Sequence, residues 1–551
     1  MSDDSIHSVR MRAALIDLRQ PVMLFFGGLI QALCFAPDPL PAWIISPLQI
    51  VLMAWLVRSI WLSGTARAAA LCAFFFALGQ FSMGLYWLTI SMHTYGHMPL
   101  PLAITALLAM SAYLAVFAAM AGWLTRKIGF AAWSDGHASS TGPLLAALIW
   151  AAIWTLSEWL RGTLFTGFPW LNTGYAHVDS ITSGWASVIG LHGVTFVSAF
   201  TAATLAGLVG ATHFSPHHQP QRALAALIAI ILISIGWTLS HIQWTQPYGP
   251  PLVARLIQGN VDQGLKFSSE QVASNIETHL KLAATPVPPG APEPEVILLP
   301  ETALALFQHQ ISPTVWQAWR QLAARNHSTV LMGTAIFDPA TRSYTNSVIG
   351  LNADTSVESL LKAHTPHRYD KQHLVPFGEF IPWGFRWFVD LMAIPLGDFT
   401  QGRIDQPLFD IAGQRIAANI CYEDIFGEDL LPALRGEHGA SVLANFSNLG
   451  WFGNSFALRQ HWQMARMRSM ETARPTLRST NTGTTGAIDE KGRALAVLPS
   501  YRPGVLDVSI QGQQGLTIFT RTGNAPILLL CLGILVIALY LHRIRHHKND
   551  C

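Results

Sequence analysis

Between Arg67 and Arg126 lie 58 residues without a single Asp, Glu, Lys or Arg. An uncharged run of that length is too long for one core helix of a soluble domain. It fits two bilayer spans of about 20 residues each, joined by a short turn. The turn is read at His93-Thr94-Tyr95-Gly96-His97, just before Pro99. Further apolar stretches cover 21–36, 42–62, 143–160, 184–211, 223–243 and 524–541. Eight spans are therefore expected, seven before residue 250 and one after 520. The composition agrees: 12% of the residues are charged, where a soluble domain carries about 25%. The 34 basic and 32 acidic side chains nearly cancel, which leaves no basic field for nucleic acid. Five cysteines in 551 residues do not make a disulfide scaffold.

Orientation follows from Lys and Arg in the short loops. Arg10, Arg12 and Arg19 precede the first span, and Arg58 and Arg67 separate the second from the third. Arg126 and Lys127, then Arg222, mark the later loops of the same side, and Arg543, Arg545 and Lys548 follow the last span. The alternate loops at 37–41 and 91–99 hold no Lys or Arg, and 161–183 holds only Arg161. Both termini are expected in the cytoplasm, with the long segment 244–520 on the far side. The first apolar run is read as a retained anchor, since no small-residue cleavage site follows it.

Charges return after Tyr248. Strands are predicted at Val253–Val261, Val296–Leu299, Thr329–Ile336, Ile416–Cys421, Ala440–Asn445, Leu477–Thr480, Thr484–Asp489 and Val505–Ile510. Helices are predicted at Ser268–Ala284, Thr314–Asn326, Leu430–Glu437 and Phe456–Ala473, and a hairpin from Ser347–Leu351 with Leu360–His364. This alternation predicts a layered α/β domain. The expected division is 1–247 for a membrane domain, 248–520 for the α/β domain, and 521–551 for a last span with a basic tail.

Three polar residues stand at or near the ends of apolar strands. Glu301 ends Val-Ile-Leu-Leu-Pro-Glu, Cys421 ends Ile-Ala-Ala-Asn-Ile-Cys, and Lys371 lies in Arg-Tyr-Asp-Lys-Gln-His. Strand ends can converge on one pocket. A carboxylate there could take the thiol proton, and an ammonium could stabilise the thiolate and then an oxyanion. The backbone N–H of Tyr422 would be a second donor. Such parts suit acyl transfer through a thioester. Spacing alone leaves open that Cys421 is a core residue and Glu301 a surface one.

The motifs go further. Pro300-Glu301, Lys371 with Pro376-Phe377-Gly378-Glu379, and Cys421-Tyr422-Glu423 resemble the Glu–Lys–Cys motifs of the nitrilase superfamily. Trp451-Phe452-Gly453, Gln460-His461, Met464-Ala465-Arg466 and Arg474-Pro475 are more restrictive, as are Glu158-Trp159-Leu160-Arg161-Gly162 and Thr166-Gly167-Phe168-Pro169-Trp170. With the spans, nearly the whole chain resembles the bacterial apolipoprotein N-acyltransferase family. The resemblance implies an extracytoplasmic nitrilase-like αββα sandwich on a multi-pass membrane domain of the inner membrane. It implies Cys421 as nucleophile, Glu301 as general base and acid, and Lys371 as oxyanion stabiliser. Glu379 would orient Lys371 or relay protons, and Tyr422 and Glu423 would support the thiol. It implies no metal and no cofactor. The acyl donor would be a membrane phospholipid, typically phosphatidylethanolamine, and the acceptor the α-amino group of a diacylglyceryl-cysteine at an apolipoprotein N-terminus. Leu449 after Asn448, and Phe267 where many members have Trp, depart from the family pattern.

Residues 377–396 are too short and too polar to span, but are aromatic for a surface loop. Trp383, Phe385, Trp387 and Phe388 suit the bilayer interface, so an arm that dips into lipid over the site is expected, with a buried core helix as the alternative. Trp451 is a further candidate lipid contact. Trp87 and Trp170 near outer span ends fit an aromatic belt or a substrate groove. Arg161 could hold a phospholipid phosphate or pair with Glu158. Two rival functions stay open on the sequence: a membrane-tethered amidase, and a non-catalytic scaffold with the same fold.

Overall fold

The computed structural model describes residues 19–36, 40–129, 142–209, 218–266, 268–363, 365, 367–382, 384, 386 and 398–549. Its first half is helical: α1 (Arg19–Ala32), α2 (Ala42–Leu62), α3 (Ala66–Gly84), α4 (Leu100–Gly129), α5 (Pro143–Arg161), α6 (Ala186–Val209) and α7 (Gln219–His241). Among the described residues, six helices are long and apolar enough to cross a membrane, and α1 with its extension to Phe35 is a shorter apolar helix. A second shorter one, Ala525–Leu541, sits where the eighth span is expected. Helices apolar all round need a nonpolar solvent. On α7, Leu227, Ile230, Ile231 and Trp237 are all exposed, which suits lipid. Backbones approach closely inside the bundle: a Cβ on Gly28 would lie 1.9 Å from the Phe76 carbonyl oxygen, and one on Gly79 would lie 2.1 Å from that of Phe25. Only glycine allows α1 and α3 that contact.

The second half is an α/β sandwich. Its elements are β1 (Leu252–Gln258), α8 (Ser269–Ala283), β2 (Val296–Leu298), β3 (Leu304–Phe307), α9 (Pro313–Asn326), β4 (Thr329–Asp338), β5 (Ser343–Leu351), β6 (Arg368–Asp370), β7 (Phe409–Ile411), β8 (Gln414–Ile420), β9 (Val442–Ser447), α10 (Phe456–Thr472), β10 (Thr476–Thr480), β11 (Gly486–Ile488), β12 (Ala494–Val497) and β13 (Gly504–Ile510). One sheet runs β13-β1-β2-β4-β5-β6, with β3 beside β4; the other runs β12-β11-β10-β9-β8-β7. The strands that carry the site are parallel: β1 with β2 and β2 with β4, then β8 with β9 and β9 with β10.

The sheets face each other through Ala254, Leu256, Leu298 and Leu331 of the first, and Ile416, Ala418, Val442 and Phe446 of the second. On the outside of the first sheet, α8 and α9 bury Val272, Ile276, Trp316 and Trp319. On the outside of the second, α10 buries Ala457, Met464 and Met467 in the same apolar core as the membrane helices. A last helix, α11, spans Ala525–Asn549.

The expected hairpin does not form. Ser356 caps a short helix at Val357–Leu361 by accepting the Ser359 N–H at 3.1 Å, and Leu360 is buried beneath it. The partners of β5 are β4 and β6. Strands β3, β6, β7 and β12 have no counterpart among the expected elements. The aromatic stretch at Trp383, Phe385, Trp387 and Phe388 lies outside the described residues, as does Phe267.

Candidate active site

Strand β8 delivers Cys421. The strand ends at Ile420, paired with Phe446, and Cys421 then takes φ +52° at the start of a tight helical turn over Cys421–Ile425. A left-handed cysteine is unfavourable by roughly 1–2 kcal/mol, so the surroundings must hold it. Glu423 does so. Its carboxylate accepts the backbone N–H of Ile420 at 2.5 Å, of Gln372 at 2.5 Å and of His373 at 3.1 Å, and the Tyr369 hydroxyl at 3.0 Å. The thiol's turn and the segment after Lys371 are thus tied to one carboxylate. Burial raises the Glu423 carboxyl to about 7, against the backbone N–H donors and Lys371.

Glu301 follows β2, and Gly333 of β4 gives it room: a Cβ there would lie 2.6 Å from the Glu301 Cα. Its Oε1 accepts from Asn346 Nδ2 at 2.8 Å and Lys371 Nζ at 3.4 Å; its Oε2 accepts the Asn448 N–H at 2.9 Å. Lys371 follows β6, and its N–H donates to the Asn346 carbonyl at 2.8 Å. Its ammonium is 1% exposed and sits 2.8 Å from Glu379 Oε1. Asn346 bridges the two carboxylates, donating to Glu379 Oε1 at 2.8 Å as well. Glu379 is fixed further by the Val375 N–H at 2.8 Å.

Cys421 is half-buried and within the fields of Glu301, Lys371 and Glu379. Burial pushes its thiol up, and Glu301 adds to that; Lys371 and the Asn448 N–H oppose it. The free thiol is therefore protonated at neutral pH and needs a base at the moment of attack. Burial alone would depress the Lys371 ammonium, but Glu379 and Glu301 hold it above its usual range. It is a permanent cation.

Two site residues escape the sequence reading. Asn346 sits mid-strand with no motif to mark it. Lys266 is 2% exposed, donates to the Glu301 carbonyl at 3.2 Å, and is depressed to about 8 by burial, with Glu301 opposing. Leu449, the departure noted above, is buried in the turn capped by Asn448.

The membrane half meets this turn directly. Tyr422 OH donates to the Gly167 carbonyl at 3.0 Å, and Tyr175 OH to that of Ile425 at 3.2 Å. Arg161 is 4% exposed; it donates to the carbonyls of Phe168 at 2.5 Å and Trp170 at 2.9 Å, and to Asn172 Oδ1. Glu158 accepts instead from Thr173 and Thr195. Trp87 is 2% exposed and donates to Gln460 Oε1 at 3.1 Å. Trp170 is equally interior, so neither indole forms a lipid-facing belt. Trp451 is half-buried against Tyr95, with ring centroids 5.8 Å apart.

Residues 27–204 match the apolipoprotein N-acyltransferase N-terminal domain, and residues 253–516 match the carbon-nitrogen hydrolase family. A Bordetella bronchiseptica protein named apolipoprotein N-acyltransferase is 50% identical over 94% of this chain and 96% of its own length. A namesake from Ralstonia nicotianae is 43% identical over 94% of this chain and 92% of its own. The chain belongs to the apolipoprotein N-acyltransferase family. Within that family's two-part architecture, the carbon-nitrogen hydrolase half carries Glu301, Lys371 and Cys421, and the N-terminal half supplies the loop against Tyr422.

Proposed function

We propose that this chain moves an acyl chain from a membrane phospholipid, phosphatidylethanolamine being the expected donor, to the α-amino group of an N-terminal diacylglyceryl-cysteine on apolipoproteins. The observation that carries the reading is the grouping of a protonated thiol, a carboxylate and a permanent ammonium at one sheet end of a chain with this family's membrane half. Glu301 takes the proton from Cys421 Sγ, and the thiolate attacks the ester carbonyl carbon. The oxyanion faces the Lys371 ammonium and the Tyr422 N–H. The C–O bond breaks, Glu301 returns the proton to the leaving glycerol oxygen, and a lysophospholipid departs. The amine then attacks the thioester carbon, Glu301 accepts an amine proton, the C–S bond breaks, and the proton ends on Sγ. Glu379 holds Lys371; Glu423 holds the turn.

Both substrates carry acyl chains, and extracting them into water would cost roughly 0.8 kcal/mol per CH₂. A site mouth at the bilayer avoids this. The Lys and Arg pattern supports cytoplasmic termini with the α/β domain, about 248–520, on the far side; membership of the family supports an inner-membrane location, which makes that side the periplasm. The stretch with Trp383, Phe385, Trp387 and Phe388 is the proposed lipid-dipping arm.

The test is incubation of the purified protein with acyl-labelled phosphatidylethanolamine and no acceptor. Hydroxylamine-labile label should appear on Cys421 and vanish in Cys421→Ser. Lys371→Met should slow labelling by about 10²–10³-fold. A native protein that never takes up label overturns the mechanism. Adding a diacylated lipopeptide should then convert the label to amide; release as free fatty acid instead would identify a hydrolase.

A further inference from the structure

Behind the thiol lies a closed ring of buried polar groups that the chemistry above does not use. Asp424 belongs to the same turn as Cys421 and is 3% exposed. Its Oδ2 accepts from Arg478 NH1 of β10 at 2.6 Å, and its Oδ1 lies 2.5 Å from His461 Nε2 of α10. Arg478 NH2 closes the ring on His461 Nδ1 at 2.6 Å. A guanidinium can only donate, so Nδ1 accepts, and Nε2 carries the proton and donates to Asp424. The imidazole is neutral, with one tautomer fixed. The Cys421 carbonyl faces the same imidazole.

The neighbouring residue points the other way. Gln460 is fully buried, and its Oε1 accepts two indole N–H groups, from Trp87 at 3.1 Å and Trp170 at 2.8 Å. Its Nε2 donates to the Gly84 carbonyl at 3.0 Å. Both lone pairs of that oxygen are used by the membrane half. Trp170 also packs 5.5 Å from the His461 ring, centroid to centroid.

We infer that Gln460 and His461 are positioning residues that fix the Cys421 turn against the membrane half, so that engagement of Trp87 and Trp170 helps to set the thiol against Glu301. The inference rests on the reading of Cys421 as nucleophile. Its physical basis is rigidity: satisfied buried networks hold a single geometry, and a nucleophile displaced by about 1 Å loses on the order of 100-fold in rate. An acyl donor reaching the site from the lipid side would find the thiol set by the same helices that set the bilayer position.

The test uses the full chain in phospholipid–detergent micelles. His461→Phe keeps a ring beside Trp170 but removes both nitrogens; His461→Gln keeps one donor. Two rates are read: first-turnover thioester formation, and alkylation of Cys421 by iodoacetamide, located by peptide mass. His461→Phe should slow thioester formation by about 100-fold and alkylation by about tenfold as the base is lost, with the donor KM unchanged. His461→Gln should recover most of both. The double variant Trp87→Phe/Trp170→Phe should shift both rates in the same direction by a smaller factor. Native rates in His461→Phe overturn the proposal, as does a loss that leaves alkylation untouched. Should His461→Phe fail to accumulate in the membrane, Gln460→Met carries the test with the same expected directions, and native rates there overturn it. If native protein forms no thioester, the acyl-transfer reading fails by itself, while the alkylation rates still decide the link.

Discussion

The two outer helix layers of the sandwich solve different problems. Helix α9 buries only Trp316, Trp319, Leu322 and Ala323 of its 14 residues. That is one stripe at helical spacing, with the other face in water. Helix α10 buries 12 of 17 residues, among them Gln460, His461, Gln463, Arg468, Ser469, Glu471 and Thr472. Its second face meets the membrane helices, and that face sets polar side chains such as Gln460 and Glu471 beside the apolar Ala457, Met464 and Met467. Some of its polar groups bond across the junction, as Gln460 does to Trp87, Trp170 and Gly84. Where α6 breaks at Ile189 and Gly190, for instance, the Leu191 N–H donates to Glu471 Oε1 at 2.7 Å. A layer facing water is held by apolar burial; a layer between two folded halves is held by burial plus geometry.

The largest expected consequence concerns Arg468 of α10. Its guanidinium lies 3.0 Å from Glu471 Oε2, both side chains nearly inaccessible, and it donates to the Ile425 carbonyl at 3.1 Å. Arg468→Met should lose about 3–5 kcal/mol, because a buried carboxylate is left without its cation. The double variant Arg468→Met/Glu471→Gln should recover much of that. Arg325 on α9 is exposed and donates to the Gln321 carbonyl at 3.3 Å; Arg325→Met should stay within about 0.5 kcal/mol. Thermal unfolding of the three variants in one detergent checks this. Equal losses for Arg468→Met and Arg325→Met would break the distinction between the layers.

The same difference governs what can be read from sequence. Strand β2 (Val-Ile-Leu) is a continuous apolar run, β9 opens on Val-Leu-Ala, and α9 shows its stripe, so much of the sandwich is legible. The polar face of α10 is indistinguishable in sequence from a solvated one, because nothing local says what covers it. Trp87 and Trp170 look like belt residues for the same reason: an indole near a span end suits lipid headgroups, and only the fold reveals Gln460 opposite both. Glu301, Lys371 and Cys421 are legible through their motifs. Asn346 and Lys266 are not, since each owes its place to a partner far along the chain. The short helix at Val357–Leu361 resembles a strand in sequence because Leu360 and Leu361 are apolar. The Ser356 cap decides the matter, and it is a local signal that the apolar pair obscures.

A second buried cation should behave in the opposite way to Arg468. Lys266 has a carbonyl rather than a dedicated carboxylate, and burial wins, setting its ammonium at about 8. A lysine depressed in the fold costs nothing above its unfolded value near 10.4. The penalty builds as pH falls from there, and it is complete below about 8. At pH 7 the native protein therefore bears the full cost of a charged, buried lysine. Lys266→Met should be more stable than native by roughly 2–3 kcal/mol at pH 7, and the advantage should shrink as pH rises through 8. Unfolding midpoints from pH 6.5 to about 10 would show this. A pH-independent difference would mean that packing, and not charge, sets the effect.

The smallest effect isolates solvent. Ser312 caps α9 by accepting the Val315 N–H at 3.3 Å, and Ser455 caps α10 by accepting the Ala457 N–H at 3.3 Å. The bonds match in length, but Ser312 is exposed and Ser455 is buried. Loss of a cap hydroxyl costs about 1 kcal/mol where water can take its place. Where water cannot reach, the stranded N–H adds a desolvation cost of about 1–3 kcal/mol. Ser455→Ala should therefore lower the unfolding midpoint about twice as far as Ser312→Ala. Equal shifts would mean that water enters the junction beside α10, and the rigidity argued for Gln460 and His461 would have to come from the ring at Asp424 alone.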